Sequence, residues 1–158
     1  MAKVLLAVHV LAAILVVGPV AVATSLFPRA VSSGVGRGTA EATGQQVETA
    51  GLLHGICRGY AAVGVVVPVF GIATGAQLGV LRDPWLLVSL LLTVAAGALL
   101  GARILPAQRS LLGSAGERAS TAVAVRVRAL VMATGVFNVL WAVVVVLMIV
   151  RPGSTTGA

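Results

Sequence analysis

Four stretches of this chain, 4–27, 52–81, 85–105 and 130–150, run for some twenty residues or more with no more than one charged side chain each. No other feature limits the fold so tightly. An apolar helix needs roughly 20 residues to cross a hydrocarbon core ~30 Å thick. Inside lipid every backbone polar group must be paired within the protein, which leaves helices and closed barrels. The two-residue alternation of barrel strands is absent, so the spans are helices. The sequence therefore predicts an all-α polytopic membrane protein, with a single four-helix transmembrane domain over residues 1–158. Composition removes the soluble alternative. With 59% hydrophobic residues, 9% charged residues and a mean hydropathy of +1.09, the chain cannot supply a polar surface.

The net charge of +7 raises the question of nucleic acid. The basic residues sit at span ends and in one loop, a distribution that suits anionic lipid headgroups and not a nucleic-acid face. Lys3, Arg82 and Arg151 fall on one side of a four-span topology. Arg29, Arg37, Arg103, Arg109, Arg118, Arg126 and Arg128 fall on the other, with Arg58 close by. The richer side belongs in the cytoplasm, which puts the chain in the cell membrane with both termini outside. Lys3, an apolar run and "AVA" at 21–23 resemble a signal peptide, but the first span is kept as a helix.

Proline and capping residues set the expected boundaries. Asp83-Pro84-Trp85 reads as an N-cap, a first-position proline and an interfacial aromatic, so the third helix starts there. Pro28 and Pro106 are expected to end the first and third helices. Pro19 and Pro68 are expected to kink the first and second. Thr43 with Gln46, and Ser114 with Glu117, fit the capping-box spacing. The second and fourth helices would then start early, reach ~50 Å, and project into the cytoplasm. The stretch 30–42 reads as a flexible loop. Both halves repeat one plan: span, proline stop, basic loop, cap, long helix.

Small residues recur four apart: Gly51, Gly55 and Gly59; Gly71, Gly75 and Gly79; Ser89, Thr93, Gly97 and Gly101; and Thr134 with Asn138. Residues four apart share a helix face, and small ones let helices approach closely where lipid removes the hydrophobic drive. These faces are expected to pack helices within the bundle or to dock it on another membrane protein. Asn138 should hydrogen-bond a neighbouring helix.

The chemistry expected of the chain is sparse. All four acidic residues, Glu41, Glu48, Asp83 and Glu117, lie in loops or at helix ends, whereas proton and ion pathways place such groups inside the spans. No nucleophile–base pair, phosphate loop or HExxH pattern occurs, so a non-enzyme is expected. Cys57 is the single cysteine, too few for a disulfide or a thiolate cluster. The candidate metal or haem ligands are His9 and His54, and helix rise separates them by roughly 15 Å or more. One haem iron cannot readily take both. His54, Arg58, Arg126 and Arg128 are expected to meet headgroups or an acidic partner. No cofactor is expected.

The opening of the first span, LLAVHVLAAILVVGP at 5–19, resembles the start of a family of small four-helix bacterial membrane proteins related to the copper-resistance D family. Its early His, Ala-rich run and Gly correspond here to His9, Ala12, Ala13 and Gly18. The resemblance implies a four-helix bundle. It does not extend to copper, because three Met, one Cys and two His make too few soft ligands for a copper path. The Arg bias and the abundance of Ala, Val and Gly suit a GC-rich genome such as an actinobacterium's. In size and composition the chain also resembles association factors of the actinobacterial cytochrome bcc–aa3 respiratory supercomplex. That implies bcc and aa3 oxidase subunits as partners and a non-catalytic accessory role that stabilises the complex. The alternatives are a haem- or metal-binding membrane protein and a small-solute permease.

Overall fold

A computed structural model describes residues 2–34, 40–114 and 121–153. It is all-α, with no strand among the described residues. Helix α1 spans Ala2–Gly34, α2 Ala40–Val63, α3 Val66–Leu78 and α4 Pro84–Leu99. A π-helical turn, Leu100–Ile104, joins α4 to α5, Leu105–Gly113, and α6 covers Thr121–Val150. Four stretches are long and apolar enough to cross a membrane: Lys3–Ser32, Gly44–Leu78, Pro84–Gly113 and Thr121–Val150. Large aliphatic side chains cover the outside, with Ile149 75% and Leu91 68% exposed. Water would penalise such a surface and lipid would not, which fits a multi-pass membrane protein.

The helices form a ring. α1 packs on α2 and α3 on one side and on α6 on the other. α6 packs on α4, and α5 returns to α2 to close the circle. The core inside is Val20, Phe27, Ala50, Ala96, Leu100, Ile104, Leu111, Leu130 and Phe137. Phe137 meets Trp141 edge-on, with ring centroids 6.3 Å apart.

Three proline expectations are corrected. Pro28 does not end the first helix, since α1 runs through both Pro19 and Pro28. The stretch 30–42 is therefore not one loop: helix reaches Gly34 and resumes at Ala40, while 35–39 lie outside the described residues. Pro106 does not end the third helix. The chain widens just before it, where the Leu105 N–H reaches back five residues to the Leu100 carbonyl. That wider turn admits a ring lacking an N–H, and Pro106 occupies the first turn of α5, where no donor is needed. Pro68 breaks the second helix where a kink was expected. Gly64 lies four residues before it and loses its usual α-helical donor; its carbonyl accepts from the Val67 N–H instead.

Of the caps, Asp83 is the N-cap of α4 in extended backbone, with Pro84 at the first position. Its carboxylate does not cap, because Oδ2 accepts a hydrogen bond from Trp85 Nε1 at 3.0 Å. Arg151 places its guanidinium 5.6 Å from the Trp85 ring centroid and fastens the end of α6 to the start of α4. Ser114 is not an N-cap; it ends α5 and donates to the Ser110 carbonyl. Its expected partner Glu117, and Arg118, lie outside the described residues, as does Arg37. α2 starts at Ala40, before Thr43, and the side chain of Thr43 is outside the described set.

Candidate functional site

The described polar side chains collect in three places. The first lies where α2 meets α5. Gln108 faces inward at the same helical spacing as the buried Ile104 and Leu111. It is 0% exposed, as is Cys57. His54 Nδ1 lies 2.9 Å from Gln108 Oε1, and Gln108 Nε2 donates to Cys57 Sγ at 3.7 Å. An amide oxygen only accepts, so His54 Nδ1 is the donor in this bond. One amide therefore serves both His54 and Cys57 of α2. His54, expected to meet headgroups or an acidic partner, is half-buried and is bonded to Gln108 within the bundle.

The second place is where α1 meets α3. His9 Nδ1 lies 3.0 Å from the Val67 carbonyl oxygen, which again assigns the proton to Nδ1. Gly71 makes this fit possible, since a Cβ there would stand 2.9 Å from His9 Cε1. Roughly 20 Å of helix separates Val67 from His54, so the two imidazoles belong to different sites. Among the described residues no three His, Cys, Asp or Glu side chains gather as a metal site.

The third is the inner face of α6. Asn138 Nδ2 donates to Ser25 Oγ of α1 at 3.1 Å, the interhelical bond expected of it. Thr134 Oγ, Asn138 Oδ1 and Trp141 Nε1 are buried with no hydrogen-bond partner among the described residues.

The glycine faces divide. Gly71 makes room for His9, and Gly75 for Leu86 and Leu81, whose methyl carbons stand 2.9 and 3.1 Å from its notional Cβ. Gly79 adopts φ 71° and turns the chain out of α3. At Gly51, Gly55, Gly59, Gly97 and Gly101 a Cβ would meet nothing within 4 Å. Ser89 is buried and Thr93 half-buried, and each hydroxyl donates to the carbonyl four residues before it. Arg58 and Arg128 are exposed, and Arg126 Nη1 reaches Ser110 Oγ at 3.4 Å.

Sequence reasoning missed Gln108, because the proline before it was read as the end of the helix. The signal was there: Ile104, Gln108 and Leu111 continue the helical spacing across Pro106. No protein-family model, curated protein or solved structure matches the chain.

Proposed function

We propose that the chain is a non-catalytic integral membrane subunit that docks on a larger membrane complex and stabilises it. One observation carries this reading. Five glycines, Gly51, Gly55 and Gly59 on α2, Gly97 on α4 and Gly101 in the π turn, lie where no described residue comes within 4 Å of a Cβ. Glycine in a helix interior costs roughly 0.5–1 kcal/mol relative to alanine. In lipid such faces let another helix approach closely. The N-terminal ends of α2 and α6, the latter carrying Arg126 and Arg128, would project into the cytoplasm, with both chain termini outside. The bcc and aa3 oxidase subunits of a respiratory supercomplex are the first partners to seek. Purification in mild detergent tests the proposal: a stoichiometric membrane partner is expected, and a chain that runs alone overturns it.

A second reading, a haem- or metal-binding protein, is favoured by His9. Its Nδ1–H is held by a backbone carbonyl, the orientation that ligating histidines use to present Nε2 to a metal. An absorption spectrum and metal analysis decide it. A Soret band that disappears in His9→Ala would replace the first reading with this one.

A further inference from the structure

The observations reach furthest at the seam between α5 and α6. Arg103 stands in the π turn, Arg109 on α5, and Arg126 and Arg128 on α6, all exposed. Neither 84–113 nor 121–150 contains an Asp or Glu, and in the connection between them Glu117 is offset by Arg118. The two helices thus carry four guanidinium groups with no carboxylate of their own. The seam is closed by the bond from Arg126 to Ser110, which lies on the same flank of α5 as Arg103, about two turns away. Arg128 lies ~200° around α6 from Arg126 and adds charge from the far side.

Depth identifies the partner. Arg103 lies in the last turn of the third apolar run, 85–105, and Arg126 and Arg128 precede the fourth, at 130–150. Arg29 follows the first apolar run and stands at the same end. Arginines at the ends of apolar runs reach toward the phosphates of a bilayer, and a guanidinium matches a phosphate by paired N–H donors. We propose that the α5–α6 seam is a binding site for the headgroup of an anionic phospholipid, with Arg103 and Arg126 gripping the phosphate and Ser110 holding Arg126 in place. This proposal is independent of the subunit reading, since it concerns the isolated chain.

The test is native mass spectrometry of the purified chain with phosphatidylglycerol against phosphatidylcholine. Phosphatidylglycerol should be retained preferentially and be stripped by salt. Arg103→Gln and Arg126→Gln should each lower its affinity about fivefold, equivalent to ~1 kcal/mol per basic residue. Arg151→Gln, at the other end of the bundle, should leave it unchanged. Should a seam variant fail to fold, the salt and headgroup dependence of the unmodified chain decides. Equal retention of the two lipids, or retention indifferent to salt, overturns the proposal. So does an acidic protein whose binding needs these arginines while phosphatidylglycerol binding does not.

Discussion

Single residues in this bundle take their roles from one neighbour each. Gly71 and His9 are such a pair, because the imidazole stands where a side chain at 71 would begin. Gly71→Ala should push the ring away from the Val67 carbonyl and cost roughly 1–3 kcal/mol, the range for overpacking a filled site. In a His9→Ala background the cost should vanish. Thermal unfolding of the four proteins in detergent measures the coupling, and additive effects would contradict it. Gln108 is the second case. Gln108→Leu keeps the volume but strips His54 and Cys57 of their partner, at about 1–3 kcal/mol. Adding His54→Leu removes the orphaned ring nitrogen and should return most of that loss, read by the same melting experiment.

At the scale of the element, the lesson concerns proline. Hydrophobic run length sufficed to find all four long apolar helices, and Asp83-Pro84 marked the start of α4 correctly. Pro28, Pro68 and Pro106 were misjudged because a proline's local effect depends on what its surroundings can repair. The backbone of α1 passes two of them unbroken, that of α2–α3 parts, and that of α4–α5 widens. Spacing alone does not choose among these outcomes. The error at Pro106 carried over to the site, because ending the helix there left Gln108 in a loop. A proline within a helix still costs its missing donor and its clash. Pro19→Ala should therefore raise stability, by up to ~3 kcal/mol, in a chemical or thermal melt. A fall would mean that the proline ring itself is needed for packing.

On the scale of the whole molecule, the ring buries Gln108 with its partner Cys57 and presents aliphatic residues and bare glycines outside. The two kinds of glycine therefore predict different phenotypes. At Gly55 a Cβ meets no described atom within 4 Å, so the melting temperature of Gly55→Leu should not fall, yet recovery of a co-purified partner should drop. Gly75→Leu strikes Leu86 and Leu81 and should destabilise the isolated chain itself. Finding that Gly55→Leu unfolds the lone protein would show that this face is internal.

The π turn at Leu100–Ile104 holds one more residue per turn than an α-helix requires. The third span thus contains a spare link. A chain shortened by one residue there can follow the same path and still deliver Gln108 to His54, provided that Pro106 is exchanged for an amino acid that tolerates the narrower coil. Length and that one substitution are bound together, so evolution would have to change both in company or neither.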